Sequence, residues 1–121
     1  MTKLRNSDSA IYDKIAAVRS IRDYFQRIES PELARKHVEE FRADFAYKQK
    51  LIMDNPKLYT IRDDGHFKDS LRKYRSFSVH WFIVFYSYEE ALDEVIIWFI
   101  RSSRSDYSNV LFLDQSRTID K

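Results

Sequence analysis

The stretch Ile28-Glu29-Ser30-Pro31-Glu32-Leu33 decides the architecture. A serine before a helix accepts a bond from an unpartnered backbone N–H, and a proline at the first helical position gives up an N–H that has no partner there. One helix therefore ends near Ile28 and a second opens at Pro31. The link is one or two residues long, so the helices pack antiparallel as a hairpin.

Working upstream, Ile11, Ile15, Val18, Ile21, Phe25 and Ile28 recur at steps of three and four, the spacing of one helix face. Asp8 or Ser9 is placed to cap this first helix, and Arg19, Arg22, Asp23 and Arg27 fall on its other faces. Lys3 to Asn6 carries a slight strand signal. Downstream, Ala34, Val38, Phe41, Phe45 and Ile52 make the stripe of the second helix. Asp54-Asn55-Pro56 stops it, because the residue before proline disfavours the α region.

Beyond Pro56 the pattern changes. Lys57 to Lys68 reads as a loop with Asp63-Asp64-Gly65 as its turn. Leu71–Phe77, Val79–Tyr88 and Val95–Arg101 read as strands, the last two rich in aromatic and β-branched residues. Glu89 to Glu94 is a polar connector, and Val110 to Leu113 reads as an edge strand or a docked tail. Apolar residues at both alternations, Val84, Ile96 and Ile97 among them, point to strands covered on both faces. The expected fold is α+β, a helical hairpin packed on a 3–4-stranded antiparallel sheet.

Composition agrees. A chain of 121 residues suits a single domain spanning 1–121. Its 44% apolar and 16% aromatic content is that of a packed protein. One glycine, Gly65, rules out a Gly-rich phosphate loop, a dinucleotide fingerprint and a nucleophile elbow. No cysteine is present, which excludes disulfides, thiolate metal sites and a cysteine nucleophile. Met1 to Ala10 lacks the apolar core of a secretory signal, and Trp81–Tyr86 and Val95–Ile100 are too short to span a bilayer as helices. The expected location is the cytoplasm. The net charge of +2 names no partner, but Arg62, Lys68, Arg72, Lys73 and Arg75 form a basic segment and Glu89, Glu90, Asp93 and Glu94 an acidic one.

Candidate chemistry lies in the strand half. Lys73 and Arg75 are two apart and share a strand face, with Arg72 on the other; the alternative is an ordinary solvated edge. Arg101 and Arg104 could clamp a phosphate, or pair with Asp106 or the Glu89–Glu94 connector. His80 reads as an acid or base at the sheet edge, or as a strand-end histidine bonded to a neighbour. The run Trp81, Phe82, Phe85, Tyr86 and Tyr88 could stack nucleobases or fill a core. His37 reads as a solvated or half-buried helix residue and His66 as an exposed loop residue. No His-x-His or His-x-x-x-His pair occurs, so no metal ligands and no cofactor are expected. Arginines, lysines, a histidine and a tyrosine could together cleave an RNA phosphodiester without metal: a base for the 2′-hydroxyl, charge on the phosphorane, an acid for the leaving group.

The helix with Ile15, Ile21 and Phe25, the Ser30-Pro31 helix start, Asn55-Pro56, Leu71-Arg72-Lys73-Tyr74-Arg75-Ser76-Phe77, Ile83-Val84-Phe85-Tyr86, Val95 to Ile100 and Arg104-Ser105-Asp106-Tyr107 together resemble the RelE/ParE superfamily. Its members are toxins of type II toxin–antitoxin (plasmid stabilisation) modules. The resemblance covers about residues 3 to 113 and implies a sheet on a helical hairpin, neutralised by a cognate antitoxin. RelE-like members act as metal-independent mRNA interferases on the ribosome; ParE-like members inhibit DNA gyrase and do no chemistry. On the first reading the catalytic residues are Arg75, His80, Arg104 and Tyr107, with Arg72, Lys73 and Arg101 holding RNA phosphate. Arg104 matches the arginine that contacts phosphate in the nucleases, and Arg75 a basic strand position. Ile83 stands about where several nucleases carry an arginine, Val110 near a catalytic tyrosine, and the chain lacks a His-Tyr ending. Those departures, with Ser30-Pro31 and Asp106-Tyr107, lean toward ParE. A non-toxic interaction domain on the same fold is the further alternative.

Overall fold

The computed structural model describes residues 1–59 and 74–103. The chain runs β1 (Lys3–Asn6), α1 (Asp8–Ile28), α2 (Pro31–Asp54), β2 (Arg75–Val79), β3 (Phe82–Glu89) and β4 (Glu94–Ser102), with a 3₁₀ turn over Glu90–Leu92. The sheet order is β1-β4-β3-β2. β2, β3 and β4 are antiparallel, as expected, whereas β1 pairs parallel to β4. That parallel edge is the one departure from an antiparallel sheet. The whole run from α1 through β3 lies between these two strands in the chain and makes the crossover that a two-residue turn cannot.

Ser30 caps α2 by accepting from the Leu33 N–H, with Pro31 in the first turn. The expected stripe Ala34, Val38, Phe41, Phe45 and Ile52 is buried throughout. α1 is capped by Ser7, not by Asp8 or Ser9. The Ser7 hydroxyl accepts from Ala10 N at 3.0 Å and donates to Trp98 O at 2.5 Å. One residue thus closes the helix start and part of the free edge of β4 beyond β1. Only half of the α1 stripe faces inward. Val18 and Ile21 are buried, but Ile11, Ile15 and Ile28 are 50%, 52% and 55% exposed. Ala10 and Ala17 take the inner positions, where small side chains let the helix backbone approach its neighbours. One residue turns a helix by about 100°, so this inner arc carries Ile11 and Ile15 to the hairpin's outer side.

The main core lies between hairpin and sheet and includes Ile21, Phe41, Phe45, Phe77, Val84, Tyr86, Val95 and Ile97. A second cluster of Tyr74, Ile83, Phe85 and Phe99, with Trp98 against it, lies apart from that core. The central strands are therefore buried at both alternations, and most of the aromatic run is core. A register shift at Phe85/Tyr86 places Phe85 opposite Phe99 but Tyr86 opposite Ile97, so Trp98 is the extra residue of a bulge.

One strand reading needs correction. Val79–Tyr88 is not continuous: β2 ends at Val79 and β3 starts at Phe82, with His80-Trp81 between them as a tight turn. His80 takes φ 54°, where glycine or asparagine is the usual occupant. No such residue marks the turn, so the pattern reads straight through it.

Candidate functional site

The seven residues singled out from the sequence do not all fall within the described structure. Arg72, Lys73, Arg104 and Tyr107 lie outside the described residues, as do His66, Asp106 and Val110 to Leu113. Arg75, His80 and Arg101 are described: Arg75 opens β2, His80 lies in the turn at its other end, and Arg101 on β4 pairs opposite Ile83.

Arg75 opens β2 opposite Tyr86 of β3 and is half-buried. Its Nη1 donates to Tyr59 O at 2.7 Å, tying the strand to the chain that leaves α2. Tyr86 lies beneath, its hydroxyl donating to Pro56 O at 2.9 Å. Burial is the main cause that pushes the Tyr86 phenol up to about 12, against a backbone hydrogen bond from Tyr59 and the charge of Arg75. Lys57 pairs with Glu90 nearby and holds that carboxyl below its ordinary value. Arg75 is thus a half-covered cation in a polar cluster.

His80 sits at the opposite end of the same strand. Five positions at about 3.3 Å each separate it from Arg75 by roughly 16 Å. Its ring faces α2, with Phe41 and His37 ring centroids at 6.0 and 6.1 Å. Burial first, then the neighbouring His37, lower its pKa.

Arg101 is 6% exposed. Its Nη1 donates to Asp13 Oδ2 of α1 at 2.6 Å and to Ile100 O at 2.7 Å, and its guanidinium lies 5.0 Å from the Phe99 ring. The same Asp13 oxygen accepts from Ile100 N at 3.0 Å. Neither sequence reading of Arg101, phosphate clamp or partner of Asp106 and the connector acids, named Asp13. The acid is 88 residues away in sequence and lies at the β4 edge only because α1 docks there. Glu90, Asp93 and Glu94 of the connector are engaged elsewhere. Asp93 accepts from Thr2 Oγ1 and Tyr88 OH, both at 2.8 Å, and these bonds hold its carboxyl low. Glu94 pairs with Arg5 at 3.6 Å.

A feature that sequence reasoning passed over is a groove along the hairpin. A cleft of about 410 Å³ is lined by Ile11, Ile15, Lys14, Arg19, Arg22 and Arg42, among others. Arg22 and Arg42 also line an adjoining cleft of about 300 Å³ near Pro31 and Ala34. Burial and the charge of Arg42 push the Lys14 ammonium below its ordinary pKa. The available signal was the cation set Lys14, Arg19 and Arg22 interleaved with isoleucines on one helix. It points to this groove only once the inner arc of α1 is known.

The chain is similar in structure to a chain of the chromosomal ParDE TA system from P. aeruginosa, with a TM-score of 0.55 and 17% sequence identity. The match covers 84% of this chain and 96% of that one. No family profile and no curated protein matches the sequence. The fold is therefore ParE-like α+β, two helices on a four-stranded, mostly antiparallel sheet. Among the described residues no helix is long and apolar enough to cross a membrane.

Proposed function

We propose that this chain is the toxin component of a type II toxin–antitoxin module and acts by binding, as a ParE-like inhibitor of DNA gyrase, rather than by cutting mRNA. The observation that carries the reading is the fold shared with a chain of the ParDE TA system over most of both lengths. Two features support binding over cleavage. Arg75 opens β2 and His80 lies in the turn past its far end, and Arg101 is engaged by Asp13 of α1. A phosphodiester cleavage site needs base, charge and acid within a few ångströms of one phosphate.

The partner is a cognate antitoxin presenting an acidic amphipathic helix to the hairpin groove. Ile11 and Ile15 offer it apolar contact, and Lys14, Arg19, Arg22 and Arg42 offer charge. The basic segment around Arg72, Lys73 and Arg75 is a second surface for that partner or the target. The protein acts in the cytoplasm, where both are found.

Induced expression should arrest growth, and a short neighbouring reading frame should encode an acidic partner whose co-expression relieves it. Purified protein should inhibit gyrase supercoiling and leave mRNA on translating ribosomes intact. Cut mRNA, with toxicity lost in Arg104→Ala and Tyr107→Phe, would replace binding with the nuclease reading. Unimpaired growth at full expression would leave only an interaction domain.

A further inference from the structure

The tip of the β2–β3 hairpin and the middle of α2 place two imidazoles and a carboxylate together. His37 and Glu40 lie one helical turn apart on α2, and His80 reaches them from the hairpin turn. One ligand atom from each lies within 4.8 Å of the others. His37 Nδ1 is 3.9 Å from Glu40 Oε2. We propose that His37, Glu40 and His80 bind a single divalent cation of the zinc class, which clips α2 to the hairpin tip.

Three observations carry this. The first is the donor set. Two imidazoles and one carboxylate suit zinc and its neighbours, whereas magnesium and calcium take oxygen ligands. In a tetrahedral zinc site the ligand atoms stand roughly 3.4 Å apart, so small side-chain rotations close the triangle. The second is that aromatic neighbours hold both rings. Phe25 stacks on His37 with centroids 3.6 Å apart and planes 7° from parallel. Phe41 and Trp81 lie 6.0 and 6.2 Å from His80. The third is the backbone. His80 occupies a left-handed turn position at φ 54°, which glycine adopts most easily and Asn, Asp and His adopt more readily than other residues with a Cβ. A histidine in place of glycine there offers the turn no backbone advantage; what it supplies is a ring aimed at α2.

Around the site, Lys48, whose charge acts on His80, pairs with Asp44 at 3.2 Å and donates to Ser78 O at 2.5 Å, so this lysine is tied down beside an acid. The side chain of Glu40 is 49% exposed, which leaves a fourth position open to water or to a donor from a partner. The sequence reading sought histidine pairs within one element and missed a set assembled across two.

The test uses the tag-free full-length chain, stripped with a chelator and titrated with zinc chloride by calorimetry, and with cobalt by visible absorption. One zinc per chain should bind, cobalt should show tetrahedral d–d bands, and the melting temperature should rise with free zinc. His37→Ala and His80→Gly should each weaken binding at least about tenfold, with a smaller loss in Glu40→Gln and none in Glu39→Gln. His80→Gly is the decisive variant. Glycine suits the turn, so the metal-free protein keeps or gains stability while its response to zinc disappears. Absence of saturable one-to-one binding would overturn the proposal. So would a zinc affinity that survives both His37→Ala and His80→Gly within about threefold, since the ion would then sit elsewhere.

Discussion

Replacing Asp13 with alanine removes the carboxylate that faces Arg101 from α1. Arg101 is 6% exposed and the Asp13 side chain 16%, so the pair is largely dry. The lost oxygen accepts at 2.6 Å from the guanidinium and at 3.0 Å from Ile100 N. Breaking a buried pair from one side typically costs about 3–5 kcal/mol, because the remaining charge stays buried with less to compensate it. Alanine's better helix propensity returns roughly 0.5 kcal/mol. A net loss of about 3 kcal/mol is a large part of the 5–15 kcal/mol that typically holds a domain together. At about 4 °C per kcal/mol for a chain of this size, the melting point should fall by roughly 12 °C. Urea unfolding at neutral pH measures the loss directly, as a lower midpoint at unchanged slope. The double variant Asp13→Leu/Arg101→Met should recover most of it, since an apolar pair can replace a buried ion pair at little cost. A loss below about 1 kcal/mol in Asp13→Ala, accompanied by stronger RNA binding, would refute the reasoning. Arg101 would then be a ligand-facing cation that Asp13 merely restrains.

Other consequences can be checked singly. Ser7→Ala should cost about 2 kcal/mol by urea unfolding, because it removes a helix cap and a bond to Trp98 O together. Tyr86 sets an alkaline limit. Below the ordinary phenol value of 10.0 both folded and unfolded chains keep the proton, but from there to about 12 only the folded chain does, so stability falls as pH rises through that window. Tyr86→Phe should be less stable at neutral pH by about 1 kcal/mol and should lose this part of the alkaline decline, read by denaturant midpoints against pH. If the proposed antitoxin docks in the hairpin groove, Arg22→Glu/Arg42→Glu should leave the fold's stability within about 0.5 kcal/mol and slow its association at least about tenfold at low salt, with the difference shrinking as salt rises. An unchanged association rate would move the antitoxin off the hairpin groove.

Much of the fold could be read in the chain because local rules agree there. Ser30-Pro31 and Asn55-Pro56 bracket α2, and its buried stripe is the one its spacing predicts. The candidate site was less legible. The Arg101–Asp13 pair joins residues 88 apart. The isoleucines of α1 and the alanines beside them have compatible helical spacings, and hydrophobicity alone ranks isoleucine first. Packing against α2 and β4 reverses the ranking, since close approach of backbones needs small side chains.

Local patterns in the chain were enough for the element types, the hairpin, the absence of cysteine chemistry and the burial of the strands at both alternations. These follow from backbone preferences and periodicities acting over a few residues. It took the packed fold to show that β1 runs parallel to β4, that a turn falls at His80-Trp81, that Arg101 pairs with Asp13, and that His37, Glu40 and His80 meet. Each of these depends on which surfaces dock, a balance of burial and desolvation between segments far apart in the chain, and no local pattern encodes it.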